Sequence, residues 1–266
     1  MRSSEYQASL RQIGVVDGDV LLIHSSVSRL MKAFATTSPG IELGDLLNLF
    51  LGLVGDRGTL LFPLFNFGFC RGEEFSYQST PSGMGALTEV ARNDSRFVRT
   101  QHPIYSFAVS GPNSNDFARL KNVSALADDG PFGLLRRLNG KILVIDLEDQ
   151  NSMTMYHHVE EVVGVDYRYH KSFTAPYRDA DDKVELRTYE LFVWDEQQGV
   201  RTDVNRAGEL LWQKGLYRGQ RPLNGFGTRV IGCHDFFSVV REIIEQGRAK
   251  DYLYSIDDSA NLEVPK

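Results

Sequence analysis

Three short apolar runs, at residues 20–24, 59–63 and 141–145, constrain the fold of this chain most strongly. Apolar runs of about five residues that end in polar or turn residues are typical of buried strands. Segments with helical spacing of apolar residues, such as residues 41–54, lie between the runs. Strands that alternate with helices predict an α/β protein.

The second half of the chain has a different pattern. Residues 168–173 and 184–194 have the composition of antiparallel strands, and we expect helices at 204–215 and 234–247. Repeats, low-complexity tracts and clear linkers are absent from the sequence. We therefore predict one α/β domain over residues 1–266, with a central sheet that mixes parallel and antiparallel strands.

Composition excludes several classes of function. The net charge is −6 and the pI is near 5.6, so the chain lacks the basic surface that nucleic-acid binding requires. Cys70 and Cys233 are too few for a disulfide framework or a cysteine-rich zinc site. The sequence shows neither a signal peptide nor an apolar run of membrane-spanning length. We expect a cytoplasmic protein that binds neither membranes nor nucleic acid.

A histidine and a glutamate follow the third apolar run at helical spacing. His157 and Glu160 are three residues apart, so a helix places both side chains on one face. A carboxylate one turn from an imidazole can fix its tautomer, as a general base requires. The position just after a buried strand favours a functional site. The alternative is a solvated ion pair on an exposed helix.

A metal-dependent hydrolase is an alternative of a different class. His157, His158, Glu161 and His170 are residue types that bind zinc. Adjacent histidines, however, point about 100° apart on a helix, unlike the i,i+4 spacing of zinc-binding helices. The preferred mechanism needs no metal, and we predict none.

Further polar and aromatic segments are candidates for binding. Serines at 25–28 directly follow a strand, where they can cap the next helix or present free N–H groups to a ligand. Residues 64–85 form a long loop rich in aromatic and glycine residues, which predicts a wall or lid over a pocket. Core packing explains these aromatic residues equally well. His102 precedes a proline, and a structural role is the commoner outcome for such a histidine.

Four motifs occur in one order along the chain: His24-Ser-Ser-Val-Ser28, Thr80-Pro-Ser-Gly-Met-Gly85, Arg99-Thr-Gln-His-Pro-Ile-Tyr-Ser-Phe107 and His157-His-Val-Glu160. In order and spacing this set resembles the aminoglycoside 3-N-acetyltransferase family, over roughly residues 10 to 245. The family also includes N-acyltransferases of amino sugars in polysaccharide assembly. The resemblance implies a three-layer αβα fold, unlike that of the GNAT acetyltransferases, and transfer from acetyl-CoA or another acyl-CoA to a sugar amine.

The resemblance also implies roles for individual residues. His157 matches the family's catalytic histidine, and Glu160 matches its supporting carboxylate. The residues expected to contact the pantetheine arm or thioester are Ser25, Ser26, Val27, Ser28, Ser106 and Phe107. The residues expected to contact the acceptor are Phe65, Phe75, Tyr77, His102 and Asn151. The family further suggests a homodimer.

Two departures from the family pattern concern the acceptor. Many members have an aspartate where this chain has Ser76, and antibiotic-modifying members commonly have Gly-Glu-Gly-Ser-Pro where this chain has Ala127-Asp-Asp-Gly-Pro131. These differences and the aromatic segment favour the polysaccharide-pathway members. The preferred acceptor is therefore a dTDP- or UDP-linked 3-amino-dideoxyhexose, with an aminoglycoside antibiotic as the alternative. A binding module that keeps the fold without catalysis is a third hypothesis, which the presence of both His157 and Glu160 disfavours.

Overall fold

The computed structural model describes residues 1–222 and 227–257 of the chain. The helices are α1 (Ser3–Gln12), α2 (Ser28–Ala35), α3 (Leu43–Val54), α4 (Ala86–Asn93), α5 (Ser114–Ala118), α6 (Pro131–Arg137), α7 (Met155–Val163), α8 (Asn205–Gln213), α9 (Cys233–Glu245) and α10 (Ala249–Tyr252). The strands are β1 (Val20–Ser25), β2 (Thr59–Pro63), β3 (Phe75–Ser76), β4 (Val98–Arg99), β5 (Phe107–Ser110), β6 (Lys141–Ile145), β7 (Arg168–Arg178), β8 (Val184–Trp194), β9 (Val200–Thr202), β10 (Arg218–Gly219), β11 (Arg229–Gly232) and β12 (Tyr254–Ile256).

The central sheet has the strand order β10-β11-β6-β1-β2-β5-β4. β1 runs parallel to its neighbours β2 and β6, whereas the outer strands join in antiparallel orientation. The strands predicted from the first three apolar runs are the middle of this sheet, and the prediction of a mixed sheet is confirmed.

Helices cover both faces of the central sheet. Side chains alternate along a strand, so Leu21 and Ile23 of β1 enter one core, which α1, α3 and α4 complete. Leu22 lies in the other core with residues of α6, α7 and α9, such as Phe132 and Phe236. Because β1 is buried on both faces, its sequence is a continuous apolar run, as is typical of parallel strands. The predicted three-layer αβα arrangement is confirmed.

A second sheet, with the strand order β3-β7-β8, contains the predicted antiparallel pair. β7 extends to Arg178, five residues beyond its predicted end at Phe173. The residues in this extension include Pro176, which weakens the strand signal in the sequence. β9 and β12 form a third, two-stranded sheet.

β11 at residues 229–232 was not predicted, because its apolar run of two residues is too short to be recognised. In the described parts of the chain, no helix combines the length and the apolar character that crossing a membrane requires. The single domain over residues 1–266 and the cytoplasmic location remain predictions.

Candidate active site

Two polar segments start from the same edge of the central sheet. Ser25, the last residue of β1, lies in register with Ile145, the last residue of β6. The serine turn at residues 25–28 follows β1, and the segment that leads to α7 follows β6. The carboxyl edge of parallel strands is where α/β proteins commonly bind ligands.

α7 is buried around most of its circumference, which is unusual for a helix with so many polar residues. Met155, Tyr156, His158 and Val159 all lie in the interior. His157 keeps a side-chain exposure of 19%. This partial exposure leaves the imidazole accessible while most of the helix is fixed by packing.

His157 and Glu160 are in direct contact. Nδ1 of His157 lies 2.8 Å from Oε2 of Glu160, the distance of a charge-assisted hydrogen bond. The contact follows from the i,i+3 spacing on α7, because residues three apart share a helix face. The spacing seen in the sequence is therefore a bonded pair in the structure.

The carboxylate of Glu160 is fully buried and has three partners. Oε1 accepts a hydrogen bond of 2.9 Å from the Tyr167 hydroxyl, and Oε2 lies 2.8 Å from Nε of Arg168 as well as close to His157. Burial by itself would raise the pKa of Glu160, but Arg168, His157 and Tyr167 lower it more, and the net shift is downward. Glu160 is thus a carboxylate at neutral pH.

The contacts of Nδ1 bear on which nitrogen of His157 carries the proton. Nη2 of Arg168 lies 2.8 Å from Nδ1 and 3.0 Å from Oγ1 of Thr202. Nδ1 can either accept from Arg168 or donate to Glu160, and we assign the proton to Nδ1 because the other tautomer would set its lone pair against the carboxylate. Arg168 then donates to Thr202. The Nε2 atom then has the free lone pair of a base, and no hydrogen-bond partner for it occurs in residues 1–222 and 227–257.

The charge state of His157 is set by competing influences. Burial lowers the pKa of His157, the positive charge of Arg168 lowers it further, and Glu160 partly opposes both. The net shift is below the usual value of 6.5, so the imidazole is neutral at pH 7. A neutral imidazole with a free Nε2 can accept a proton.

The neighbouring histidines have other partners. Nδ1 of His158 lies 2.6 Å from the carbonyl oxygen of Leu126, and burial lowers the pKa of His158 to about 4. His170 pairs with Glu161 on the exposed side, with 3.1 Å between Nε2 and Oε1. Among the residues that the structure describes, no group of three histidine, cysteine, aspartate or glutamate side chains could hold a metal ion.

The serine turn is held by the main chain. The N–H of Ser26 donates to the carbonyl of Ile145 (2.8 Å), and no side chain caps α2, whose N-cap residue is Val27. Capping by the serines, one of the two predictions for this turn, is therefore wrong. The N–H groups of Val27 and Ser28 have no acceptor in the described segments, so they can face a ligand.

Ser106 and Phe107 are placed differently from the predicted thioester contacts. The hydroxyl of Ser106 is fully buried and accepts a hydrogen bond of 3.0 Å from Nε of Arg99. Phe107 lies in the core on β5, 5.3 Å from the Phe65 ring centroid. Both side chains stabilise the fold here, and neither is open to a ligand.

Most rings of the aromatic loop pack inward instead of covering a pocket, and only Phe67 among Phe65, Phe67, Phe69 and Phe75 is exposed. Phe65 and Phe75 are almost completely buried, and their ring centroids lie 4.3 Å from Tyr105 and 5.0 Å from Tyr177, respectively. The half-buried Tyr77 donates its hydroxyl to the carbonyl of Arg99. The description as a lid is corrected in favour of core packing, because these rings gain more free energy by leaving water than an open wall allows.

His102 is a structural histidine. Its Nδ1 accepts hydrogen bonds from the N–H groups of Tyr105 (3.1 Å) and Ile104 (3.3 Å), and burial lowers its pKa to about 3. The ring therefore fixes the turn after Pro103. Asn151 lies at the exposed end of a 3₁₀ turn before α7 and is free to contact an acceptor.

Comparison with known proteins identifies the family. Residues 22–245 match the model of the family described as aminoglycoside 3-N-acetyltransferase, which is most of the chain. The chain belongs to this family. The family predicted from the four motifs is confirmed, whereas its polysaccharide-pathway branch is not shown.

A curated member and several solved structures are similar to the chain. Aminoglycoside N(3)-acetyltransferase IX of Micromonospora chalcea is 26% identical over 182 residues, covering 61% of this chain and 62% of that protein. The match thus spans less than two thirds of the relative's length. The crystal structure of aminoglycoside acetyltransferase AAC(3)-Xa has a TM-score of 0.77 at 19% identity, covering 92% of this chain and 93% of that one. A binary complex of AAC-IIIb with CoASH has a TM-score of 0.75 at 16% identity, with 93% and 97% covered.

These likenesses confirm the fold predicted for the chain, including its difference from the GNAT acetyltransferases. The members with similar structures are named as acetyltransferases, and one of them holds CoASH. The family and these relatives are named as acetyltransferases and not as hydrolases.

Two residues that surround Glu160 were not predicted from the sequence. Tyr167 and Arg168 reach Glu160 because Gly164, in the left-handed region with φ 76°, ends α7 and turns the chain back. The signal available in the sequence was a glycine four residues after Glu160, followed by an arginine at the start of the next strand. Together they indicate a helix end and a strand that returns past the helix. No local pattern in the sequence indicates the distance between Arg168 and Glu160.

A second buried cluster, also missed, anchors the segment before α7. Oδ2 of Asp149 accepts hydrogen bonds from the hydroxyls of Tyr217 (2.6 Å) and Tyr156 (2.7 Å), and Oδ1 accepts one of 2.8 Å from Arg229. A cleft borders this cluster. Its lining residues are Glu148, Asp149, Asn205, Gly208, Glu209, Trp212, Arg221, Pro222 and Arg229.

Proposed function

We propose that the chain is an acyl-CoA-dependent N-acetyltransferase that acylates an amine of an aminoglycoside-type amino sugar. The observation that carries the proposal is the pairing of a neutral His157 with an ionised, fully buried Glu160. This arrangement supplies a neutral base, held in one tautomer, on the helix that follows β6.

His157 performs the proton transfers of the proposed reaction. Its Nε2 takes a proton from the acceptor amine while the nitrogen lone pair attacks the thioester carbonyl. The C–N bond forms, the C–S bond breaks, and the imidazolium returns the proton to the leaving thiolate. Glu160 stabilises the imidazolium between these steps, because Nδ1–H already donates to it. General base catalysis of this kind contributes roughly 10²–10⁴ to the rate.

The serine turn is the proposed contact for the thioester. The N–H groups of Val27 and Ser28 start α2 and can donate to the oxygen that becomes negative during the attack. Ser106 is not proposed as a donor, because its side chain is fully buried beside Arg99. The relative AAC-IIIb binds CoASH, which supports acetyl-CoA as the co-substrate of this chain.

The structure supports direct transfer without a covalent acyl-enzyme. Cys233 is buried, and burial raises the pKa of its thiol. Cys70 is partly buried, and burial raises its pKa to about 11. Neither thiol forms the thiolate that a nucleophile requires at neutral pH. Incubation with acetyl-CoA alone should therefore leave the mass of the protein unchanged.

The acceptor is proposed from the family and from the cleft beside Asp149. The curated relative is named as an aminoglycoside N(3)-acetyltransferase, and AAC-VIa was solved with sisomicin. Two arginines also line this cleft, and they form ion pairs with Glu209 and Asp149. Among the described residues Glu148 is in no ion pair, so it is the lining carboxylate that can attract a cationic amine. These observations favour an aminoglycoside over the nucleotide-linked sugar that the sequence suggested.

A thiol-release assay with acetyl-CoA tests the proposal. The acceptors are gentamicin, sisomicin and a panel of dTDP- and UDP-amino sugars, and 3-hydroxybutyryl-CoA serves as a second donor. We expect turnover with an aminoglycoside, and we expect His157→Ala to lower kcat by about 10²–10⁴. The matched control is His170→Ala, because His170 is an exposed histidine that contacts Glu161 and not the His157 pair.

Each outcome of this assay has a defined meaning. Turnover with a nucleotide sugar alone would replace the aminoglycoside by the biosynthetic acceptor and leave the mechanism intact. Equal loss of activity in both histidine variants would refute the specific role of His157. Absence of thiol release with every acceptor, in folded protein that binds CoA, would refute the catalytic function.

A further inference from the structure

One half of β8 forms an exposed edge of the β3-β7-β8 sheet. β7 is the neighbour of β8 on one side, and a short segment around Ser124 bridges to Glu190 on the other. Residues 184–188 extend beyond this bridge. Leu186 is 73% exposed and Val184 is 43% exposed, which is unusual for apolar residues on an uncovered edge.

Every second residue of this half directs its main-chain groups away from β7. The N–H of Glu190 donates to Val123 (2.9 Å), and its carbonyl accepts from Ala125 (3.1 Å), both on the outer side of the strand. Main-chain groups alternate in direction along a strand, so those of Leu186 and Thr188 also point outward.

The turn between β7 and β8 gives the same direction independently. The carbonyl of Lys183 accepts a hydrogen bond of 3.0 Å from the N–H of Asp179, toward the β7 side. Val184, the next residue, must therefore present its N–H and carbonyl to the free edge. The exposed half of β8 is a row of outward-pointing donors and acceptors.

The sequence of this edge is complementary to itself in the antiparallel register that pairs all of residues 184–188 within β8. If a two-fold axis passes through Leu186, Val184 lies opposite Thr188 of the second copy, and Glu185 lies opposite its Arg187. Each residue whose main chain points outward then forms a hydrogen-bonded pair with a residue of the second copy. Centring the axis on Glu185 would place two carboxylates opposite each other, and centring it on Arg187 would oppose two guanidinium groups, both of which are destabilising.

We propose that β8 pairs with β8 of a second copy of this chain, about a two-fold axis at Leu186. The two three-stranded sheets then form one continuous sheet across the dimer. About six main-chain hydrogen bonds would join the copies. The exposed Leu186 side chains of the two copies would cover each other. Glu185 and Arg187 already form an ion pair within one chain (2.7 Å), and each would also lie opposite the other residue type of the second copy.

Sedimentation velocity with two charge variants tests the interface. In Glu185→Arg the edge carries two positive charges, and in Arg187→Glu it carries two negative charges. Each variant alone should dimerise at least about tenfold more weakly than the wild type, because like charges meet across the axis. An equimolar mixture should dimerise again, since each copy then opposes the other with opposite charges.

The mixture separates the interface from the pair within the chain. The Glu185–Arg187 pair of one chain stays broken in both variants, so only contacts between copies can restore association. Glu245→Arg serves as the matched charge control, because the exposed Arg241–Glu245 pair lies on α9, outside this edge. Thermal melts verify that every variant is folded.

Three results would overturn the proposal. The first is a wild type that remains monomeric up to about 100 μM, a concentration at which even a weak specific dimer is populated. The second is a variant that dimerises as strongly as the wild type. The third is a mixture that dimerises no better than its separate components.

Discussion

At the scale of residues, the His157 imidazole depends on a cation as much as on its carboxylate. Glu160 raises the pKa of His157 and Arg168 lowers it, in addition to the lowering by burial. A base near an ionised glutamate alone would hold its proton more strongly and would be protonated over more of the pH range. Arg168 thus acts as a positioning residue that keeps the base neutral and Glu160 ionised.

Replacement of this cation makes a prediction about pH dependence. In Arg168→Met, the pKa of His157 should rise, so the acid limb of kcat/KM should move to higher pH. NMR titration of His157 in the free enzyme measures the shift directly, and the His170 signal is the internal control. An unchanged His157 titration in folded Arg168→Met would contradict the role assigned to Arg168.

At the scale of elements, α8 must pack closely against the 3₁₀ turn that precedes α7. A Cβ atom at Gly208 would lie 2.5 Å from Cγ of Asp149. Asp149 in turn holds Tyr156 of α7 and Arg229 of β11. The absence of a side chain at one position of α8 therefore permits the buried cluster that anchors the start of α7.

A glycine-to-alanine pair tests this close approach. Gly208→Ala should lower the free energy of unfolding by roughly 1–3 kcal/mol, as overpacking does in a filled interior. The control Gly44→Ala lies in α3 with no atom within 4 Å of the added Cβ, so it should stabilise the protein by about 0.4–1 kcal/mol. Urea unfolding measures both, and equal effects would show that α8 can move away from Asp149.

At the scale of the whole molecule, buried histidines make the fold sensitive to acid. Burial lowers the pKa of His24 to about 3, that of His102 to about 3 and that of His158 to about 4. Because the folded pKa values lie below the unfolded value near 6.5, the folded state binds fewer protons. Their stabilising effect is fully present above pH 6.5 and is lost progressively as the pH falls through about 4 toward about 3.

The free energy of unfolding should consequently decrease by about 1.4 kcal/mol per pH unit for each of these histidines below pH 6.5. Urea unfolding at a series of pH values from 7 to 5 measures the slope. His102→Gln should reduce the slope by about one proton, even though it lowers stability at every pH. A slope that is the same in the variant would show that His102 is already protonated in the folded protein.

Local patterns in the sequence determined the middle of the central sheet and the helical pair. The runs at 59–63 and 141–145 are strands with the predicted bounds, because a strand buried on both faces needs a continuous apolar segment. The side chains of His157 and Glu160 are in contact because helix geometry places residues i and i+3 on the same face. The order of four motifs determined the family, and with it the expectation of a three-layer fold.

Only the tertiary structure decided which side chains surround these local features. Arg168 reaches Glu160, and Asp149 reaches Arg229, through contacts between elements whose distance no local spacing encodes. Packing between distant elements also buries Phe65 and Ser106, which we predicted from the sequence to contact ligands. Burial depends on what packs against a segment from elsewhere in the chain. A local pattern therefore fixes the face on which a residue lies, and the packing of distant elements fixes whether that face meets water, a ligand or the core.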